Sequence, residues 1–269
     1  HRDLHLSLRR QRQMCIRDRY NCIYDCSYCF LQGMYSSANF VLFVNYEDFV
    51  LEIKKLISKK ENITFFSGYD CDSLALENIT GFASYILPIF KEYSNCILEL
   101  RTKSNQIKPL DKIEPIKNCV IAFSLMPDKI SLALDNKAPT IKRRIATIKT
   151  LSALGWKIGL RFDPLIFGDS WKDQYQDLHE NIFNEINISS IHSISYGPLR
   201  FPIAMYKKIN SMYQNEKLFV GPFEQNQSEV SYKQEIEEEM TEFCKNLSLN
   251  FAPESLTVSY THLTLPTKA

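Results

Sequence analysis

Three cysteines near the start of the chain have the type and spacing that most clearly predict chemistry. Cys22, Cys26 and Cys29 form a C-x3-C-x2-C run. Three thiolates this close can hold one polynuclear iron–sulfur centre, because soft sulfur ligands suit iron, and three ligands leave one iron of a four-iron cluster open. Two other interpretations stay open, which are a zinc site with a distant fourth ligand and unrelated cysteines buried in the core.

The other cysteines and the histidines do not extend this pattern. Eight cysteines at irregular spacing in 269 residues are not typical of a disulfide scaffold, which favours a reducing, cytoplasmic setting. Cys96, Cys119 and Cys244 fall on predicted strands or helices and are interpreted as core residues. Only His179 and His192 lie away from the two ends of the chain, so neither a His-rich metal site nor a Ser-His hydrolase is predicted.

A second group of candidate residues lies on predicted strands, where side chains alternate between two faces. This alternation places three sets of charged or small residues on shared faces: Glu99, Arg101 and Lys103; Ala122 and Ser124; and Arg161 and Asp163. Polar residues that converge at the C-terminal ends of strands are typical of the catalytic face of a βα-barrel. The alternative is that these charges lie on a solvated sheet edge.

Predicted strands and helices alternate along the chain. The strands are predicted at residues 63–68, 96–103, 120–126, 157–162 and 191–196. The helices are predicted at residues 45–59, 78–93, 140–154 and 171–186, after Pro202, and at 231–245. This alternation predicts parallel βα units, and therefore an α/β fold that curves into a partial (β/α) barrel.

The two ends of the chain are interpreted as translated sequencing-library adapter. Residues 9–19 back-translate to a transposon-type adapter, and residues 258–267 back-translate to its reverse complement. We therefore assign residues 1–19 and 258–269 as non-native and residues 20–257 as the core domain with a C-terminal helical extension.

The whole chain has 32 basic and 31 acidic side chains, whereas the core has 25 and 29, a balance of −4. This balance gives no support for nucleic-acid binding. No leader is recognised, and no apolar run is long enough to predict a membrane span.

The cysteine spacing, with the aromatic Tyr28 before the third cysteine, resembles the radical S-adenosylmethionine superfamily. Five blocks narrow the resemblance to the spore photoproduct lyase family: residues 26–33, 41–48, 72–77, 101–103 and 123–124. The resemblance covers nearly all of residues 20–257, and it indicates a lyase-like relative. It also implies that the cluster loop follows the first barrel strand, which we expect to be missing from this chain.

The resemblance implies both cofactors and the residues that hold them. Cys22, Cys26 and Cys29 would hold a [4Fe-4S] cluster, whose open iron binds S-adenosylmethionine. Reduction would then cleave the sulfonium to a 5′-deoxyadenosyl radical that abstracts a substrate hydrogen. Lys103 would reach the S-adenosylmethionine carboxylate, Ser124 would contact the ribose, and Tyr28 would relay a hydrogen atom.

Two departures from the family pattern bear on the substrate. A second relay tyrosine, expected directly after Cys29, is Phe30 in this chain. The family's hydrogen-donor cysteine falls at Tyr69, and Cys71 lies two residues later, where it is a candidate substitute. The expected function is therefore a radical enzyme that abstracts hydrogen, with a DNA thymine lesion as one candidate substrate.

The alternatives within enzymology are a radical enzyme acting on RNA, a peptide or a small molecule. The alternative from another class is a zinc-stabilised binding module without catalysis. The expected partner is an electron donor such as a flavodoxin or a ferredoxin.

Overall fold

The computed structural model describes residues 13–35, 37–59, 62–214 and 216–258. In chain order its strands are β1 (Gln13–Ile16), β2 (Arg19–Tyr20), β3 (Asp25–Cys26), β4 (Val41–Leu42), β5 (Ile63–Ser67), β6 (Cys96–Thr102), β7 (Cys119–Ser124), β8 (Asp135–Asn136), β9 (Lys157–Leu165), β10 (Ile191–Pro198), β11 (Arg200–Pro202), β12 (Phe223–Gln225) and β13 (Glu229–Tyr232). Its α-helices are α1 (Leu31–Met34), α2 (Tyr46–Lys59), α3 (Glu77–Thr80), α4 (Phe82–Glu92), α5 (Asp128–Leu134), α6 (Ile141–Leu154), α7 (Trp171–Glu185), α8 (Ile203–Met212) and α9 (Gln234–Leu249).

One parallel sheet organises the molecule. Its six strands lie in the order β1-β5-β6-β7-β9-β10, and every neighbouring pair is parallel. Because helices connect these strands, all their carboxyl ends meet at one edge of the sheet. Within the described residues the sheet stays open between β1 and β10, so the α/β fold is confirmed and has no closed barrel.

The core follows from the strand sequences. All six residues of β7 are buried, as expected for a central strand covered on both faces. The aromatic rings of Phe65, Phe90 and Phe162 fill the space between the sheet and its helices. Cys96, Cys119 and Cys244 are buried among apolar residues, so their interpretation as core residues is confirmed.

The place of the first strand, which we expected to be empty, is filled by β1. Met14 and Ile16 are buried, whereas Cys15 between them is only partly so. This alternation is typical of an edge strand, and β1 pairs in parallel with β5 from Gln13 to Ile16. The interpretation of residues 1–19 and 258–269 as translated adapter stays a prediction, and residues 1–12 and 259–269 lie outside the described residues.

Two predicted helices differ from the structure. The helix predicted at residues 78–93 is divided into α3 and α4 by Gly81, whose φ of 59° ends α3 in a left-handed cap. The helix predicted from residue 231 begins only at Gln234, because Ser231 and Tyr232 belong to β13. That strand pairs with β11 and β12 in a small antiparallel sheet, which overrides the helical pattern.

Candidate functional site

The three predicted cluster cysteines lie on the loop between β2 and α1. The loop turns tightly, since the amide of Cys29 donates to the carbonyl of Cys26 at 3.0 Å. Cys26 is itself part of β3, which pairs with β8 so that Cys26 lies opposite Asp135. The amide of Ser27 also donates to the carbonyl of Leu134 at 2.9 Å. The loop is therefore attached by backbone hydrogen bonds to the segment that follows α5.

The three thiols are free and close enough to influence one another. Burial is the largest cause that raises the pKa of Cys22, and both Cys26 and Cys29 raise it further. Burial also raises the pKa of Cys26 to about 12, although the ammonium of Lys103 opposes this shift. Cys26 is buried, whereas Cys22 and Cys29 are partly exposed. The site thus presents three neutral thiols, which become good ligands once a cation favours their thiolate form.

Lys103 lies directly against this loop, at the end of β6. Its Nζ is 3.3 Å from Cys26 Sγ, 3.1 Å from Asp135 Oδ1 and in hydrogen-bond contact with the hydroxyl of Tyr28. The ammonium also lies 4.7 Å from the centre of the Tyr28 ring. Tyr28 donates its own hydroxyl hydrogen to Asp135. Three of the sequence-predicted site residues are therefore in contact, and an aspartate that the sequence analysis did not predict joins them.

Asp135 is held in turn by Arg144 of α6. The two side chains form a buried ion pair of 2.5 Å and are 1% and 0% exposed. The sequence analysis predicts the helix at residues 140–154 and assigns no role to this arginine. A signal was present, however, because Arg144 lies at the helical spacing of the buried residues Ile141, Ile148 and Leu151. A charge within an apolar stripe indicates a buried partner.

The loop after β5 covers the next part of the site. Asp72 accepts hydrogen bonds from the amides of Leu74 and Ala75, from the hydroxyl of Thr102 at 2.7 Å and from the amide of Lys103 at 2.6 Å. These bonds attach the loop to the C-terminal end of β6. Asp72 therefore fixes the backbone from which the Lys103 side chain extends.

Cys71 belongs to the same loop and lies near the first cluster cysteine. Its thiol lies close enough to Arg19 and to Cys22 for both residues to affect its pKa. Burial is the main cause that raises the pKa of Cys71 well above its ordinary value. Cys71 is therefore a neutral S–H group next to the cluster loop.

The predicted convergence of polar strand faces is present inside the sheet. Arg161 of β9 makes two bonds to Glu99 of β6, at 2.8 and 3.1 Å, and another to Ser193 of β10 at 2.9 Å. Arg101 bonds Glu99 at 3.2 Å and lies 3.7 Å from Asp163. Glu99 and Arg161 are buried, whereas Arg101 and Asp163 are partly exposed at the carboxyl ends of the strands.

Ser124 is the last residue of β7, and the ring of Tyr69 lies beside Phe30, the residue after the last cluster cysteine. Thr102 and Phe123 are register partners, so Lys103 and Ser124 end neighbouring strands. The rings of Tyr69 and Phe30 are 5.9 Å apart. The roles predicted for Ser124, Tyr28 and Cys71 stay predictions.

Within the described residues, no three or more His, Cys, Asp or Glu side chains form a group that could hold a metal ion. The same residues contain no α-helix with the combination of length and apolar character that a membrane crossing requires.

Solved structures with this fold include several of spore photoproduct lyase. One of them is a double mutant of spore photoproduct lyase with bound S-adenosylmethionine and dinucleoside spore photoproduct. It superposes on this chain with a TM-score of 0.82 at 16% identity, and the match covers 94% of this chain and 76% of that chain. SuiB of Streptococcus suis bound to S-adenosylmethionine gives a TM-score of 0.51 at 13% identity, covering 70% of this chain and 41% of that chain. At these identities the likeness establishes the fold.

A comparison with family models identifies the family. The model described as spore photoproduct lyase matches residues 14–255. The chain belongs to the spore photoproduct lyase family, so the predicted family is confirmed. A comparison with curated protein sequences finds no match.

Proposed function

We propose that this protein is a radical S-adenosylmethionine enzyme that holds a [4Fe-4S] cluster on Cys22, Cys26 and Cys29. The observation that carries the proposal is the contact between Lys103 and Cys26, which puts a cation 3.3 Å from one predicted cluster ligand. The chemistry that cluster and cofactor supply when bound is one-electron cleavage of a sulfonium for hydrogen abstraction.

The donor set of the loop fits an iron–sulfur cluster. It consists of sulfur alone, the soft ligand that iron–sulfur clusters take. Cys22 and Cys29 are partly exposed, and all three thiols are free of disulfides. The backbone pairing of β3 with β8 holds Cys26 in place before any ligand binds.

The remaining roles follow from the positions of the chain's own residues. Lys103 presents an ammonium toward the cluster loop, where it can pair with the carboxylate of S-adenosylmethionine. Ser124 ends the neighbouring strand and is the residue we assign to the ribose.

The family and the neighbouring structures suggest a nucleic-acid lesion as substrate. One neighbour, spore photoproduct lyase, has been solved with dinucleoside spore photoproduct at a TM-score of 0.80 and 16% identity. We propose this thymine lesion as the first substrate to test and a flavodoxin or a ferredoxin as the electron donor. A second candidate is a peptide, because SuiB bound to precursor peptide SuiA shares the fold at a TM-score of 0.53.

The experiment is anaerobic reconstitution with iron and sulfide, followed by dithionite reduction in the presence of S-adenosylmethionine. We expect 5′-deoxyadenosine from the unaltered chain and none from Cys26→Ala. The matched control is Cys119→Ala, since Cys119 is a buried cysteine of β7 outside the site. Bound zinc without cofactor cleavage would contradict the proposal and favour a binding module. Cleavage without repair of the dinucleoside lesion would retain the enzyme class and reject this substrate.

A further inference from the structure

We propose that Asp135 is a positioning residue, which Arg144 holds in place and which in turn orients Lys103 and Tyr28 beside Cys26. The inference rests on the proposed function, because it concerns how the chain presents Lys103 to S-adenosylmethionine. Neither Asp135 nor Arg144 belongs to the motifs that indicated the family, and both were found only from the structure.

The two oxygens of the Asp135 carboxylate face opposite ways. Oδ1 faces the site, where it accepts from the Tyr28 hydroxyl and from Lys103 at 3.1 Å. Oδ2 faces the core, where it accepts from Arg144 at 2.5 Å and from the hydroxyl of Ser131 at 3.2 Å. Because both oxygens have partners, the carboxylate cannot rotate without losing charge-assisted hydrogen bonds.

Arg144 is itself fixed on three sides. Besides Asp135, its guanidinium donates to the carbonyl of Ser124 at 3.0 Å and to the carbonyl of Pro139 at 2.8 Å. The side chain is completely buried, so these bonds are shielded from water. The arginine therefore joins the end of β7, the segment before α6 and the Asp135 carboxylate into one rigid unit.

The backbone adds a second constraint between Asp135 and the cluster loop. Cys26 and Asp135 are register partners in the β3–β8 pair. The side-chain amide of Asn136 also donates a hydrogen bond to Ser27 Oγ at 3.2 Å. A shift of Asp135 would therefore also shift Cys26. The same element thus determines where the sulfur of Cys26 and the ammonium of Lys103 lie.

The charges of this group favour an incoming carboxylate. Lys103 and Arg144 are two cations that share the single carboxylate of Asp135, so these three side chains together carry one positive charge in excess. A lysine side chain is long and flexible, so an ammonium that is already oriented loses less entropy when it binds an anion. Without Asp135 the same lysine would have to be ordered by the ligand itself.

The test is equilibrium binding of S-adenosylmethionine to the reconstituted protein in four forms: unaltered, Asp135→Asn, Lys103→Met and the double variant. We expect each single variant to raise Kd by roughly tenfold, and the double variant to bind no more weakly than Lys103→Met. This non-additivity is the signature of an effect that acts through Lys103. Glu77→Gln is the matched control, since Glu77 is a buried carboxylate that caps α4 through the amides of Ala83 and Ser84. Its Kd should equal that of the unaltered protein.

A second variant keeps the inference testable if Asp135→Asn fails to fold. Arg144→Lys retains the cation and loses the planar fork, so we expect a smaller rise in Kd that disappears in the Lys103→Met background. An unchanged Kd in Asp135→Asn, or an additive double variant, would overturn the role of Asp135 and leave the proposed function standing. No binding by the unaltered protein, or an unchanged Kd in Lys103→Met, would instead overturn both.

Discussion

Among single residues, one lysine makes several of the polar contacts of the site. Lys103 contacts Cys26, Tyr28 and Asp135 at once. Burial alone would raise the pKa of Asp135, but the nearby charges of Lys103 and Arg144 hold it below its ordinary value. The carboxylate therefore stays ionised at neutral pH, and it remains a constant counter-ion to Lys103.

Cys71 is the residue whose role is most open to a direct test. A hydrogen-atom donor must keep its S–H bond, and burial keeps the Cys71 thiol neutral. We expect Cys71→Ala to form 5′-deoxyadenosine at the unaltered rate and to convert the thymine lesion into by-products in place of restored thymine. Chromatography of the products with mass spectrometry measures both quantities.

The control for this variant is Cys96→Ala. Cys96 is a buried cysteine at the start of β6, at the opposite end of that strand from Lys103. Its product distribution should match that of the unaltered protein. An identical distribution from Cys71→Ala would rule out Cys71 as the donor.

At the scale of elements, the loops at the carboxyl ends of the strands are fixed by close backbone contacts. Gly68 directly follows β5 with a φ of +84°, a conformation that side chains rarely adopt. A Cβ at this position would lie 2.7 Å from the carbonyl of Arg101 and 2.6 Å from Ser73 Oγ. The amide of Ser73 donates to the same Arg101 carbonyl at 3.0 Å. The absence of a side chain at Gly68 therefore lets the loop that contains Cys71 and Asp72 close onto β6.

We expect Gly68→Ala to lower the free energy of unfolding by more than about 1 kcal/mol, because it combines backbone strain with a collision against a carbonyl. Denaturant unfolding followed by circular dichroism measures this change. Gly168→Ala is the matched control, since open space surrounds Gly168 and its φ is not in the left-handed region. Equal stability of the two variants would show that the loop tolerates displacement.

The sequence predicted the parts of the site that depend on local spacing. The three cysteines follow from a short motif, and strand alternation places Lys103 on one face with Glu99 and Arg101. Asp135 could not be found in this way, because its two partners in the site, Tyr28 and Lys103, are distant from it along the chain and no motif surrounds it. Only the pairing of β3 with β8 brings it opposite Cys26.

The sequence predicts a helix or strand correctly where the hydrophobic periodicity is uninterrupted. It fails where pairing with a distant strand decides the structure. The helix from Ile141 to Leu154 has a threonine N-cap and a left-handed Gly155 at its end, so both boundaries follow from the sequence. By contrast, β13 overlaps the first two residues of a predicted helix, and it forms because β11 and β12 pair with it. The interpretation of residues 1–19 as adapter predicts no strand there, whereas β1 pairs with β5.

At the scale of the whole molecule, one buried histidine links folding to pH. His179 of α7 is fully buried, its ring stacks on Phe162 at 4.4 Å, and its Nδ1 bonds the carbonyl of Tyr175 at 2.6 Å. Burial lowers its pKa from 6.5 to about 4. The unfolded chain therefore binds a proton over this range and the folded chain does not.

The contribution of neutral His179 to the free energy of unfolding is complete above pH 6.5. It is lost as the pH falls toward 4, and the loss is at most roughly 3 kcal/mol. Asp18 acts in the opposite direction, since burial raises its pKa to about 6. The effect of His179 is therefore measured as the difference in unfolding free energy between the unaltered protein and a variant without this histidine. Between pH 7 and pH 4.5 the unaltered protein should lose more stability than His179→Phe, which keeps the stacked ring without a titrating nitrogen. Parallel curves of unfolding free energy against pH would contradict this prediction.

The central claim is that three cysteines of one loop hold a four-iron cluster with one iron left open for S-adenosylmethionine. Mössbauer spectroscopy of the protein reconstituted with iron-57 tests it most directly. We expect a [4Fe-4S] spectrum in which the subspectrum of one iron site changes when S-adenosylmethionine is added. A spectrum without a cubane cluster, or one in which the cofactor alters no iron site, would show that the three cysteines do not hold such a cluster.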